Sequence, residues 1–170
     1  MTWARTDLDL LSVLAGRLSI EEISANVGKP VKEVEVIAKV FGIDIRYYER
    51  VMDWCPECGA YRSQQDNGCR VCELKQQLQR LREDNAEAFL KLSEEEQEKH
   101  RERDARRRSD FIDPPVLPDL KGLSGYERRV AEEQRDLLIE QWEIEQIKRE
   151  KDRVKHETWR IRQKLKGGKA

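Results

Sequence analysis

The sequence predicts a mainly α-helical protein that carries one small metal-binding module. Apolar residues recur at helical spacing along most of the chain, and all four cysteines fall into two C-x-x-C pairs within one short stretch. Of the 170 residues, 39% are charged and 38% are hydrophobic. A single globular core of this size would need more apolar surface. Helices with narrow apolar stripes, joined to one or two small domains, fit this balance better.

Shifts in composition divide the chain into six consecutive segments. We expect a helical domain at 1–50, a four-cysteine module at 51–73, an amphipathic and then charged helix at 74–108, a proline-rich apolar linker at 109–124, a long helix at 125–166 and a basic tail at 167–170. The two later helices are expected to form either a coiled-coil-like pair or a helical hairpin.

The cysteines are Cys55, Cys58, Cys69 and Cys72. Zn²⁺ prefers four thiolates in a tetrahedron, and two residues between ligands let a tight turn direct both sulfurs at one ion. A short returning hairpin would bring the second pair to the same point. Four sulfurs close the coordination shell, so we expect one structural Zn²⁺. The alternatives are two disulfides, which belong to oxidising compartments, and a redox C-x-x-C, which would leave the second pair unexplained.

Three short helices are expected before the cysteines. Ser19 is a plausible N-cap, with Glu22 three residues later as the second member of a capping box. Gly28 is a plausible helix end, and Pro30 stands near the start of the third helix. Two helices joined by a turn at Gly28 and Pro30, after a supporting first helix, predict a tri-helical helix-turn-helix.

The segment SIEEISANVG, Ser19–Gly28, resembles the first helix and turn of the small helix-turn-helix found in Myb-like and in phage or bacterial regulator domains. Ser24 and Val27 replace the alanine and leucine that are commoner there. The resemblance implies that the third helix lies in a DNA major groove. The exposed positions in and before that helix would be Lys29, Lys32, Glu33, Glu35 and Lys39.

The cysteine segment, in turn, resembles the zinc ribbons of transcription and replication proteins. Such ribbons bind DNA, RNA or protein, so the resemblance predicts only the shape of this segment and not its ligand. Arg62 and Arg70 are the basic residues of this segment and could reach phosphates or remain surface residues.

Charge does not settle what the helical domain binds. Residues 1–50 carry seven Lys and Arg against eight Asp and Glu, and the whole chain has a net charge of -1. DNA-binding modules are normally basic on the contacting face. A helical domain that binds protein is therefore the alternative.

The helix after the cysteines shows apolar steps of four and three residues that continue to Leu92. Asn85 falls at an a position, where it fixes the register of a parallel dimer. Residues 74–92 therefore form a homodimer seam or pack within the chain, on the cysteine module or on the last helix. A basic cluster follows, which either contacts phosphate or is a solvated helix end: Arg101, Arg103, Arg106, Arg107 and Arg108.

The linker at 109–124 is unusually apolar, so we expect it to dock on its own helices or on a partner. In the long helix at 125–166, Lys151 and Thr158 interrupt the apolar seam. Trp142 and Trp159 lie off that seam and would either anchor a partner protein or pack on the earlier helix.

No nucleophile, base and orienting group converge in the sequence, so we expect a binding protein and not an enzyme. For the same reason we expect no small-molecule substrate. No apolar run approaches the length of a membrane span and no signal peptide is recognisable, which predicts a cytoplasmic protein. The expected function is that of a zinc-containing, DNA-binding regulator of bacterial or phage type. The alternative is an adaptor of a phage or other large assembly, such as a small terminase, that uses the same helices for protein contacts.

Overall fold

The computed structural model describes residues 3–63, 68–107 and 111–167. The protein is mainly helical, with 66% of the described residues in helices, which confirms the predicted fold class at this level. The helices within the described ranges are α1 Arg5–Leu14, α2 Ile20–Val27, α3 Val31–Val40, α4 Arg70–Leu90, α5 Glu94–Ala105 and α6 Gly125–Gly167. Two short strands, β1 Asp53–Cys55 and β2 Ala60–Arg62, pair in one small sheet.

The chain forms two compact units that are not consecutive in sequence. The first unit draws on Met1–Trp54, Ala60–Gln64 and Val116–Leu138. The second draws on Cys55–Gly59, Gln65–Pro115 and Ile139–Ala170. Helix α6 therefore contributes its first turns to one unit and the rest of its length to the other.

The core of the first unit lies among helices α1 to α3. Leu11, Ile23 and Val34 are fully buried, and Ala38 is 1% exposed. Leu11 comes from α1, Ile23 from α2, and the other two from α3, where they are four residues apart and so share one face. The helical spacing of apolar residues in the sequence thus produces a three-helix core.

Local residues set both ends of α2 and the start of α3 as the sequence predicted, whereas α1 begins one residue before Thr6, with Ala4 as its N-cap. The backbone N–H of Ser19 donates to the Glu22 carboxylate at 2.9 Å, and the Glu22 N–H donates to the Ser19 hydroxyl at 3.4 Å. Gly28 ends α2 with a positive φ of 68°, a conformation that glycine adopts without steric cost. Pro30 is the N-cap of α3.

A close approach of three backbone segments ties the start of α6 to this core. The Tyr126 N–H donates to the carbonyl of Asp44 at 3.1 Å, and the Tyr48 N–H donates to the carbonyl of Gly16 at 3.0 Å. A Cβ on Gly125 would lie 1.7 Å from the Asp44 carbonyl oxygen. Glycine at position 125 is therefore required by space as well as by its φ of 53°.

The segment between α3 and β1 is irregular, because residues 43–52 form no strand. Glu133 of α6, only 8% exposed, binds this segment. Its carboxylate accepts hydrogen bonds from the Tyr48 hydroxyl and from the backbone N–H groups of Val51 and Met52, the latter two at 2.7 Å. The buried charge is thus compensated by three donors.

These hydrogen bonds change two ionisation equilibria. Burial raises the pKa of the Glu133 carboxyl group, but the donors from Tyr48, Met52 and Val51 lower that pKa more, so it lies below its ordinary value of 4.5. The bond to Glu133 also raises the pKa of Tyr48 to about 12. Ionised Glu133 therefore contributes stability above pH 4.5, and this contribution is lost as the pH falls through the lowered pKa.

We expect Glu133→Gln to lower the free energy of unfolding by about 2 kcal/mol at pH 7, because charge-assisted hydrogen bonds become neutral ones. The deficit should shrink below pH 4.5, where protonation of the wild-type carboxylate has the same effect as the substitution. Urea denaturation at pH 7 and at about pH 3 measures this difference. Glu145→Gln, at an exposed position of the same helix, is the control. An equal deficit at both pH values would contradict this role of Glu133.

In the second unit, α4 packs along the later part of α6. Val71, Leu74 and Leu78 of α4 form a buried cluster with Ile147 and Val154 of α6. A further cluster joins Ala88 and Leu92 to Ile161. The contacting residues advance toward the C-terminus on both helices together, from Val71 with Ile147 to Leu92 with Ile161, so α4 and α6 run parallel. The helical-hairpin expectation is wrong in this respect, because α5 and the following linker return the chain before α6 begins.

Polar residues that interrupt the two apolar seams meet each other. The Asn85 side-chain amide donates to the Thr158 hydroxyl at 2.9 Å, and that hydroxyl donates to the Val154 carbonyl at 2.8 Å. Lys151 donates to the side-chain carbonyl of Gln77. The apolar face at 74–92, which could have formed a dimer seam, thus packs on α6 of the same chain, where Asn85 forms a hydrogen bond with Thr158.

Helix α5 packs against the same part of α6 in the opposite direction. Ser93 caps it by accepting from the Glu96 N–H at 3.4 Å. The Lys164 ammonium pairs with the Glu96 carboxylate, and the His100 Nε2 lies 2.7 Å from a Glu157 oxygen. Arg108 of the predicted basic cluster lies outside the described residues.

The start of the apolar linker docks on its own chain, which confirms one of the two expected outcomes for this part, whereas Val116 further along is 94% exposed. The Trp142 indole N–H donates to the Ile112 carbonyl at 2.9 Å. The Phe111 ring packs edge-on against the Trp142 ring, with centroids 5.7 Å apart. Residues 109 and 110 of this linker, and 168–170 of the predicted basic tail, lie outside the described residues.

Candidate functional site

Two local structures carry the four cysteines of the second unit. Cys55 ends β1 and Cys58 lies in the turn before β2, where the Gly59 N–H donates to the Cys55 carbonyl at 2.9 Å. Cys69 is the N-cap of α4 and Cys72 lies in its first turn. The expected returning hairpin for the second pair is therefore wrong: the start of a helix presents it, because an N-cap and the third helical residue face the same side.

The four thiols converge to the spacing that a tetrahedral ion requires. The Cys55 and Cys72 sulfurs are 3.7 Å apart, and those of Cys58 and Cys69 are 3.8 Å apart. All four sulfurs lie within 4.8 Å of one another. Zn–S bonds of about 2.3 Å at tetrahedral angles place sulfurs roughly 3.8 Å apart. The four cysteines could therefore hold one metal ion.

The same distances describe four free thiols and not two disulfides. A disulfide needs sulfurs about 2.05 Å apart. The Cys58 backbone lowers the pKa of the Cys55 thiol to about 7, while burial raises the pKa of the Cys69 and Cys72 thiols. Cys69 and Cys72 also sit at the positive end of the α4 dipole, which favours thiolate.

Lys32 and Lys39 are exposed on α3, as the resemblance implied. They are seven residues apart, which places them on one face of the helix and about 10 Å from each other. Lys29 is half-buried, and its ammonium lies 6.0 Å from the centroid of the Trp3 ring. Lys32 and Lys39 are therefore the more accessible cations of this set. Glu33 is half-buried and Glu35 is exposed.

The solvent-facing side of α3 is also apolar. Val36 is 60% exposed and Val40 is 70% exposed, and Phe41 directly after the helix is 56% exposed. Exposed apolar side chains on one short helix favour contact with another molecule. The helical spacing of the sequence places Val36 and Val40 outside the buried face of α3, but it places Phe41 on that face, and this expectation for Phe41 is wrong.

The two candidate arginines are less accessible than expected. Arg62 is 4% exposed, so we remove it from the set of residues that could contact phosphate. Arg70 forms an ion pair with Glu73, which offsets its charge. Burial of Arg62 had no sequence signal, because an arginine in a short strand is usually solvated.

The two tryptophans of α6 have different surroundings. Trp142 is engaged by the linker residues Phe111 and Ile112, and so serves the fold of the second unit. Trp159 is 59% exposed and keeps a large apolar surface open to a partner. A feature that the sequence analysis missed is a set of arginines on α6, Arg153 and Arg160, which join Arg103, Arg106 and Arg107 around one cleft.

The fold and this site define a mainly helical protein with four clustered cysteines that could hold a metal ion. No family model, curated protein or solved structure matches the chain. Among the described residues, no helix is long and apolar enough to cross a lipid bilayer.

Proposed function

We propose that this protein is a zinc-stabilised DNA-binding regulator of bacterial or phage type that acts in the cytoplasm by binding and not by catalysis. In this proposal, helices α1–α3 act as a helix-turn-helix with α3 as the recognition helix. The exposure of Lys32 and Lys39 on one face of α3 is the observation that carries the proposal. Lysines at that spacing can position a helix against phosphates on the two sides of a groove.

Zn²⁺ has a structural part in this proposal, because four thiolates leave no coordination position for water or substrate. The residues that hold it would be Cys55, Cys58, Cys69 and Cys72. They would join the β1–β2 turn to the first turn of α4. An S₄ set of this spacing suits Zn²⁺ better than the oxygen-seeking ions Mg²⁺ and Ca²⁺.

The mixed surface of α3 is compatible with reading a major groove. Val36 and Val40 can contact thymine methyl groups, and Glu35 can accept a hydrogen bond from a cytosine amino group. Phosphate contacts then supply most of the affinity, and base contacts supply the sequence preference.

We expect the double variant Lys32→Glu and Lys39→Glu to weaken binding to mixed-sequence duplex DNA by about tenfold or more, because two phosphate contacts become repulsive. Fluorescence anisotropy at 50 and 200 mM KCl measures the affinity and its salt dependence. The matched control is Lys75→Glu with Arg80→Glu, which makes the same change in net charge at exposed positions of α4. Equal loss in both double variants would show non-specific charge attraction and contradict the proposed role of α3.

A protein-binding role for α3 is the second candidate, favoured by the exposed Val36, Val40 and Phe41. A structural adaptor of the small-terminase kind would use this face, together with its long helices, for contacts between copies or with another subunit. This candidate predicts an oligomer in light scattering that Val36→Ser with Val40→Ser reduces to a monomer. It also predicts that duplex DNA binds equally well to the wild type and to the Lys32 and Lys39 variant.

A further inference from the structure

A cleft of about 620 Å³ opens in the second unit between the end of α5 and the later part of α6. We name it the arginine cleft after the five arginines that line it: Arg103 of α5, Arg106 and Arg107 directly after α5, and Arg153 and Arg160 of α6. None of the four clustered cysteines lines it, and neither does any residue of α3. The cleft is therefore a separate feature from both sites described above.

The positive charge around the cleft is local. The whole chain has a net charge of -1, yet residues 151–166 carry seven Lys and Arg against two Asp and Glu. Residues 99–107 carry five against two. Because exposed charges more than about 10 Å apart are largely screened at physiological salt, the distant acidic residues offset this potential little. The cleft should therefore attract anions despite the acidic chain.

Part of this charge is not neutralised within the protein. Among the described residues, no carboxylate forms an ion pair with Arg103 or Arg160, whereas Arg153 pairs with Glu150 at 3.1 Å. The acidic residue Glu157 of the cleft is close to His100 and has a side chain only 15% exposed. Asp104 also lines the cleft, but among the described residues it forms no ion pair with Arg103 or Arg160. Two guanidinium groups, one from each helix, thus line the cleft without a direct ion pair.

The arrangement suits a chain of phosphates better than one phosphate ion. Guanidinium groups bind phosphate oxygens in pairs of parallel hydrogen bonds. Arg153 and Arg160 are seven residues apart, so two helical turns, about 10 Å, separate them along α6. Arginines spread over that length can contact successive phosphodiester groups of an extended strand.

Trp159 indicates which kind of strand this is. Its ring is 59% exposed, it adjoins Arg160 in sequence, and it follows the cleft residue His156 by three positions, so it lies on the neighbouring face of the helix. Exposed aromatic rings beside a basic groove stack on unpaired bases. Bases in a duplex are already stacked on each other, so a single strand makes better use of this ring.

We propose that the arginine cleft binds the sugar-phosphate backbone of a single-stranded nucleic acid, with Trp159 stacked on one of its bases. This proposal does not depend on duplex binding by α3. A protein with both sites would hold a duplex through one unit and an unpaired strand through the other.

The test uses the full-length protein and a fluorescein-labelled dT₁₅ strand, which has no secondary structure of its own. We expect Arg103→Gln with Arg160→Gln to weaken binding by about tenfold and to reduce its salt dependence, because two phosphate contacts are lost. Arg103→Lys with Arg160→Lys should retain most of the affinity. The matched control is Arg80→Gln with Arg162→Gln, at exposed positions away from the cleft, and should change the affinity less than twofold. Circular dichroism checks that each variant is folded.

The stacking contact has its own test. Trp159→Ala should weaken dT₁₅ binding by about tenfold, and Trp159→Phe should retain most of it, since one base-aromatic contact has an effect of this size. Loss of dT₁₅ binding on replacing Lys32 and Lys39, with the arginine variant unaffected, would overturn the proposal in favour of α3. Poly-glutamate binding as tight as dT₁₅, with no effect of Trp159→Ala, would overturn it in favour of an acidic protein partner.

Discussion

Cys72→Ser is expected to abolish stoichiometric metal binding and to destabilise the second unit by several kcal/mol. Four thiolates converge on one point, and structural Zn²⁺ bound this way contributes about 10–16 kcal/mol of apparent binding energy in small domains. The full amount will not appear as lost stability here, because Val71, Leu74 and Leu78 next to the site keep their apolar contacts with α6. The metal-free protein should therefore retain most of its helix and lose order near residues 55–59 and 68–72.

The measurements are metal analysis by atomic emission and thermal unfolding with and without a chelator. Protein purified without chelator should contain about one Zn²⁺ per chain, and the chelator should lower the melting temperature of the wild type but not that of Cys72→Ser. Asp53→Asn is the control, because Asp53 is exposed and lies two residues before Cys55. Metal-free wild-type protein, or sulfurs that mass spectrometry finds linked in pairs, would refute the zinc assignment.

Gly125→Ala is expected to destabilise the first unit by about 4 kcal/mol or more, because two costs combine at this position. The residue has a φ of 53°, which an L side chain adopts at a cost of about 1–2 kcal/mol. In addition, the new Cβ would lie 1.7 Å from the Asp44 carbonyl oxygen and 2.7 Å from its carbon, so the backbone must move. The movement would break the hydrogen bond from the Tyr126 N–H to that same carbonyl.

Gly122→Ala is the control that measures the cost of the positive φ without the steric contact. Gly122 also has a positive φ, 75°, but a Cβ there meets no atom within 4 Å. We therefore expect this control to lose only about 1 kcal/mol. Urea denaturation of both variants measures the difference. Similar losses in the two would mean that the contact with Asp44 is not tight in solution.

Residues that act on their immediate neighbours were readable from the sequence. The capping pair of Ser19 and Glu22 and the left-handed Gly28 both occur where the sequence predicted them. Each of these signals involves residues within five positions of one another, so no tertiary information is needed. The two C-x-x-C pairs are also local signals that the sequence shows, because each pair lies within one short element: the β1–β2 turn for the first pair and the start of α4 for the second.

Features that depend on long-range packing could not be predicted from local sequence patterns. The heptad at 74–92 allowed a dimer or an intrachain partner, and the buried clusters between α4 and α6, with the hydrogen bond from Asn85 to Thr158, show that the partner lies within the chain. The expected hairpin required antiparallel helices, whereas α4 and α6 run parallel. Apolar periodicity gives the face of a helix that is buried but not the direction of its neighbour.

The sequence by itself determined the helical class of this protein, the ends of α2 and the pairs of cysteines that could hold a metal ion, because each depends on interactions between near neighbours in the chain. Only the tertiary structure decided that Glu133 binds the segment before β1, that Gly125 must lack a side chain beside Asp44, and that arginines 50 residues apart share one cleft. Those features join residues whose separation in the chain leaves no local pattern, since packing alone brings them together.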